Sequence, residues 1–141
     1  MLKKIKNILL GFCLITTMMI SCVFDPGETR KIKIYNNTSK TVYVFESREN
    51  AYEGHYIFYD SIQIKNNNKL NAFTTHQIWS AQPWKYYIEN SKDSLLHIFI
   101  VSEDCVRKYG FKKIFKDTIY TRVYEFKYKD LKKNKWQIKY E

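Results

Sequence analysis

The chain has no apolar run of the roughly 18 residues that a membrane-spanning helix requires, so no segment is expected to cross a bilayer as a helix. Its three cysteines are too few for the disulfide framework of a small secreted scaffold. Glycine (four) and proline (two) are scarce while aromatics make up 17% of residues, which excludes collagen-like, low-complexity and wholly disordered chains. So few glycines leave little for phosphate-cradling loops, and no P-loop, dinucleotide glycine motif or GxSxG nucleophile elbow is present. His55, His76 and His97 are too widely separated for HExxH or a paired-histidine ligand spacing, so neither a metal nor another cofactor is expected. Acid is the scarcer charge: 24 Lys+Arg stand against 14 Asp+Glu, a net +10 over 141 residues, a length that suits one domain.

Lys3, Lys4 and Lys6 open the chain, and the apolar stretch Ile8 to Ile20 follows. It has the length of a signal-peptide core and is too short to cross a hydrocarbon layer of about 30 Å. Met19-Ile20-Ser21-Cys22 comes next and resembles the lipobox of bacterial lipoproteins: an aliphatic approach, a small residue, then the cysteine that becomes the mature N-terminus. That chemistry asks for a thiolate to take a diacylglycerol as a thioether, and for a small residue so that the peptidase reaches the preceding bond. Met19 stands where Leu is commonest, whereas Ser21 and Cys22 match in full. The alternative is an ordinary secretory signal with Cys22 a chance thiol, but no A-x-A-like cleavage site is present. Cys22 is therefore the expected lipid attachment, and two or more acyl chains anchor a protein stably where one does not. By the same resemblance, Val23 in place of Asp lacks the enterobacterial inner-membrane retention signal, so the outer membrane is expected.

Removing residues 1–21 takes three Lys and no acid, so +10 becomes +7 and 120 residues remain. That suffices for one core burying about two-thirds of the unfolded surface. Cys13 leaves with the signal, Cys22 is blocked by lipid and Cys105 stays alone, which precludes an intramolecular disulfide. Residues 22–30, with Pro26-Gly27, read as a lipidated tether, and 31–141 as a single β-rich domain.

Within that domain Lys31-Ile32-Lys33-Ile34-Tyr35 alternates with period two, Asn36 to Ser39 is turn chemistry and Thr41 to Phe45 is β-branched and aromatic, which predicts a β-hairpin. Tyr56 to Ile64 reads as a strand closed by Asn66-Asn67-Asn68, and Ala72 to Trp79 and Trp84 to Glu89 as weaker strands around Pro83. Leu95 to Val101, the most apolar run after the leader, predicts a central strand covered on both faces. Ser102-Glu103-Asp104 predicts a capped helix start, Gly110 its end, and Phe111 to Lys116 a further helical turn. Ile119 to Lys127 returns to strand, Asp130 to Lys133 is a helical turn, and Trp136 to Tyr140 a last strand. Seven or eight strands with one helical insertion favour a mainly β fold, an antiparallel β-sandwich of immunoglobulin or transthyretin type, because the helices are too few for βαβ crossovers.

The C-terminal half, from Leu95 to Asp104, then Tyr124-Glu125-Phe126, Asp130-Leu131 and Asn134-Lys135-Trp136-Gln137-Ile138-Lys139-Tyr140, resembles small cell-envelope lipoproteins of gut Bacteroidota. Those often end in a YDL…DL…NW.I.YP pattern. Here Glu125 takes the acidic position, Lys135 separates Asn134 from Trp136, and Glu141 replaces the final Pro. The resemblance implies an envelope location and a fold, and no activity. Asp60-Ser61-Ile62, Asp93-Ser94-Leu95 and Asp117-Thr118-Ile119 also fit the O-glycosylation pattern of such bacteria, making Ser61, Ser94 and Thr118 candidate acceptors.

Two constellations invite a functional reading. Cys105 with His97 and Asp104 offers a nucleophile, a base and an acid, but an acid beside the thiol opposes thiolate formation, so a structural thiol is expected and no catalytic residue is assigned. Trp79, Trp84, Tyr86 and Tyr87 cluster around Pro83, and aromatic faces of this kind stack on sugar rings, so these four are the candidate glycan contacts. The competing role is core filling, expected for Trp79 and Trp84. The positive charge suits anionic glycans, whereas export removes the chain from nucleic acid. The expectation is a lipid-anchored, non-catalytic structural or interaction domain, with a glycan-binding accessory protein as the alternative.

Overall fold

The structure, a computed structural model, describes residues 31–49 and 62–141. The leader, the tether with Cys22, His55, Ser61 and most of the expected Tyr56–Ile64 strand lie outside the described residues. Among the described residues the fold is mainly β: a three-stranded and a four-stranded sheet with short helices, and no closed barrel.

β1 (Lys31–Asn36) is the middle of the three-stranded sheet, antiparallel to β4 (Thr75–Trp79) and parallel to β7 (Gln137–Tyr140). The second sheet runs β3 (Lys69–Leu70), β2 (Val42–Ser47), β5 (Leu96–Ser102), β6 (Arg122–Phe126), all antiparallel. The expected hairpin is therefore not formed: β1 and β2 are both strands but lie in different sheets. β2 carries four buried residues in succession, Val42 to Phe45, and such a strand needs cover on both faces. Val42 and Val44 join a core shared with Ile32, Ile34, Ile78 and Ile138 of the three-stranded sheet, while Tyr43 and Phe45 face the opposite way. The expectation of purely antiparallel pairing also fails at one place, β1 with β7. Nearly the whole domain separates these two strands in sequence, ample for a parallel connection without a βαβ unit.

Two segments expected as strands are helical. Residues 62–64 begin α1 (Ile62–Asn68), which the asparagine run closes, since three alternating residues do not distinguish the two periods. Trp84 to Glu89 is α2, preceded by Pro83, and its buried Trp84 and Ile88 stand one helical turn apart. β5 is buried from Leu96 to Val101, as its apolar run requires. Ser102 caps α3 (Glu103–Lys116), its side chain accepting from the Cys105 N–H at 3.2 Å. Gly110 (φ 70°, ψ 155°) kinks α3 in a region open essentially only to glycine, and the kink turns Phe111, Ile114 and Phe115 onto Tyr43 and Phe45. α4 (Tyr128–Lys133) adds Leu131 to the first core. Among the described residues no helix is long and apolar enough to cross a membrane.

Candidate functional site

The alternation that buries Ile32, Ile34, Ile78 and Ile138 sends the intervening side chains to the other face of the three-stranded sheet. β1 contributes Lys31, Lys33 and Tyr35, β4 contributes Thr75, Gln77 and Trp79, and β7 contributes Gln137 and Lys139. No Asp or Glu occupies an outward position on the three strands. Register sets these side chains in rows. Lys33 stands between Gln77 and Gln137, and Lys31 stands beside Trp79. Adjacent strands lie about 4.8 Å apart, so the Gln–Lys–Gln row is a close line of hydrogen-bonding groups. A shallow cavity of about 410 Å³ opens over it, lined by Lys31, Lys33, Gln77, Lys135, Trp136 and Gln137. That volume falls within the range of small-ligand sites.

Trp79 is 62% exposed, and the Lys31 ammonium lies 4.1 Å from its ring centroid, a cation–π contact worth about 0.5–1 kcal/mol at an exposed site. At the far side of the cavity the chain turns from α4 into β7 through Lys135 (φ 53°) and Trp136 (φ 60°), two consecutive left-handed residues that are not glycine. The Trp136 N–H donates to the Leu131 carbonyl at 2.8 Å and its carbonyl accepts from the Lys33 N–H at 2.9 Å, which ties this turn to the middle of the sheet. Lys135, which interrupts the Asn-Trp pair of the resemblance, is thereby placed on the cavity rim.

The four candidate glycan contacts do not form one platform. Trp84 is 1% exposed and belongs to the core, as expected. Tyr87 packs edge-on against it at 5.3 Å, and the Arg48 guanidinium covers its ring at 4.3 Å. Burial pushes the Tyr87 phenol up, the Glu46 charge adds to this and Arg48 opposes it. Burial likewise holds the Glu46 carboxyl above its usual range. Tyr86 is exposed on α2. Trp79, expected in the core, is instead a surface residue, because it falls on an outward position of β4 with Ile78 inward.

Cys105, His97 and Asp104 are not assembled as a catalytic set. The His97 Nε2–H donates to Asp93 Oδ2 at 2.8 Å, and its Nδ1 lies 3.6 Å from Glu125 Oε1, beyond a hydrogen bond. Asp104 turns outward towards Lys40, 3.8 Å away, and Cys105 packs beside the second core. Among the described residues no group of three His, Cys, Asp or Glu is placed to hold a metal. No protein-family model, curated protein or solved structure matches the chain.

Ser94 (φ 58°) and Thr118 (φ 54°) are exposed and share one construction. Each sits at a left-handed turn, and the acid before it is tied back, Asp93 to His97 and Asp117 to Lys113. Desolvation disfavours the Asp93 anion, but the hydrogen bonds from His97 and the Leu95 N–H, with the His97 charge, outweigh it and hold the carboxyl below its usual range. The folded state thus binds that proton less tightly than the unfolded state, whose carboxyl titrates near 3.9. The stability advantage of the wild type over Asp93→Asn is expected in full above about pH 4, and to disappear as pH falls further. Thermal midpoints of the two proteins against pH measure it.

Proposed function

We propose that the chain is a cell-envelope lipoprotein, held at the outer membrane by acyl groups on Cys22, whose non-catalytic β-domain binds through the open face of its three-stranded sheet. In this reading the two sheets, which share a core, form a sandwich of the immunoglobulin or transthyretin kind. The tether of residues 22–30 joins the lipid to Lys31, the first residue of that face. The basic start, the apolar core of the leader and the Ser21-Cys22 junction support the anchor, and the C-terminal likeness to Bacteroidota lipoproteins agrees with it. Ser94 and Thr118, exposed at tight turns, are the acceptors proposed for O-linked sugars.

The observation that carries the binding reading is a largely exposed Trp79 beside Lys31 and Gln77, on strands whose outward positions hold no Asp or Glu among the described residues. A flat indole offers apolar surface to the C–H side of a sugar ring, while Gln77 and Gln137 offer donors and acceptors to its hydroxyls. This favours a carbohydrate ligand over a protein complex, whose binding surface is usually more apolar at its centre. Nucleic acid has no place in the proposal, because export separates the domain from it. A glycan array probed with the full chain tests it. Binding is expected to be lost in Trp79→Ala and kept in Tyr86→Ala, a matched exposed aromatic. Absence of any carbohydrate binding, or equal loss in both variants, would overturn the carbohydrate reading.

A further inference from the structure

Resting on the membrane anchor proposed above, we infer that the outward face of α3 is a second membrane contact, seated on the phosphates of anionic lipids. Beyond the kink at Gly110, Phe111, Ile114 and Phe115 turn inward and Lys112, Lys113 and Lys116 stand exposed. With Tyr109 and Asp117 these lysines line a shallow cavity of about 370 Å³. From Glu103 to Asp117 the chain carries five cations and three acids, and each of those acids already has a cation. Glu103 meets Arg107 at 3.0 Å and Lys69 at 3.9 Å, Asp104 meets Lys40 at 3.8 Å, and Asp117 pairs with Lys113. Lys108 lies over the Tyr109 ring, 4.9 Å from its centroid. Lys112 and Lys116 are left facing outward with no ion pair among the described residues. The chain from Cys22 onward carries +7 with every acid counted, those outside the described residues included, which draws the whole domain towards an anionic surface.

The tether favours lipid over a soluble acidic partner. Residues 22–30 span at most about 30 Å when extended, so the anchor holds α3 at high effective concentration beside the headgroups. Because the apolar side chains of α3 are spent on the second core, the helix rests on the headgroups without inserting, and the contact is electrostatic. It also orients the domain. Val42 and Val44 face the core shared with the three-stranded sheet, whereas Tyr43 and Phe45 face α3. The α3 and Trp79 faces therefore lie on opposite sides, and seating the first on lipid presents the second to glycan.

The test takes the protein extracted from its native membranes and inserts it into preformed vesicles. One set is phosphatidylcholine alone, the other equal parts phosphatidylcholine and phosphatidylglycerol, and a membrane-impermeant reagent labels the amines. Lys108, Lys112 and Lys116 are expected to label about tenfold more slowly on the phosphatidylglycerol vesicles, and high salt to restore their rates. Lys139, on the Trp79 face, is expected to label at one rate on both. In Lys112→Glu/Lys116→Glu the slowing at Lys108 is expected to vanish, while Lys129→Glu/Lys133→Glu, the same charge change on α4, keeps it. Equal rates on the two sets, with the protein floating with both, would overturn the docking face and leave the anchor standing. Slowing at Lys139 in place of α3 would reverse the orientation and overturn it as well. Loss of the slowing in both double variants would show attraction by net charge, with no seat on α3, and overturn the site. A protein that floats with neither set carries no acyl anchor, and both readings fall.

Discussion

Trp84→Ala is expected to destabilise the domain by about 3–5 kcal/mol, the usual cost of emptying a buried large aromatic site. The side chain is 1% exposed, packs edge-on with Tyr87 and closes the shared core at α2 beside Ile88. Trp79→Ala, five residues earlier, is expected to cost no more than about 1 kcal/mol, the worth of the exposed cation–π contact with Lys31 that it removes. The contrast separates the two tryptophans by role. Trp84→Phe is expected to cost much less than the alanine variant, because the Trp84 Nε1–H has no acceptor among the described residues, so its loss sacrifices no hydrogen bond there. Urea denaturation with a common slope for all four proteins provides the measurement. A Trp84→Ala protein as stable as the wild type would contradict the core assignment.

Asn36 is expected to give the other large effect. It ends β1, is 2% exposed and spans the crossing from one sheet to the other. Its two Nδ2–H groups donate to the carbonyls of Lys40 at 2.7 Å and Asn71 at 3.0 Å, and the Leu70 carbonyl at 3.3 Å shares one of them. Its Oδ1 accepts from the Thr38 N–H at 3.1 Å and from the Thr38 hydroxyl at 2.7 Å. One side chain thus satisfies the carbonyls of two segments of the second sheet and shapes the turn between β1 and β2. Asn36→Ala is expected to cost about 2–3 kcal/mol, since it strands buried acceptors. Asn36→Asp keeps the shape but aims an anion at three carbonyls, and is expected to cost more than the alanine variant at pH 7, the excess shrinking in acid as the new carboxyl takes a proton. Thermal midpoints at pH 7 and pH 4 measure both, and an Asn36→Asp protein more stable than Asn36→Ala at pH 7 would refute this account of the crossing.

The same residue shows why part of the fold was hidden in the sequence. Asn36 to Ser39 carries the composition of a hairpin turn, and local chemistry does not reveal that a buried amide instead directs the chain into a second sheet. Long unambiguous patterns were legible: the apolar β5, the Ser102 cap, the break at Gly110 and the alternating β7 all stand where their residues indicate. Short ones were not. Trp84 and Ile88, one helical turn apart, sit in a stretch whose aromatic content also suits a strand, and burial decides between them.

The candidate site was half legible for the same reason. Trp79 drew attention as an aromatic, but its neighbours along the chain, Trp84 and Tyr87, turn inward. Its neighbours in space, Lys31 and the Gln77–Lys33–Gln137 row, come from strands far apart in sequence. Lysines alternating with apolar residues look like any solvated sheet face until the register puts them beside a tryptophan. Glu46 carried no local signal at all, and only the packing of Tyr87 and α2 marks it.

Where the domain resides decides which ligands that face can meet, so the anchor is the claim on which the functional account turns. Intact-mass analysis of the protein extracted from the membranes of its native host tests it most directly. The account predicts a polypeptide that begins at Cys22 and is heavier than its 120 residues by a diacylglycerol and a further acyl group, or by the diacylglycerol alone. A chain that retains residues 1–21, or that carries Cys22 as an unmodified thiol, would contradict it.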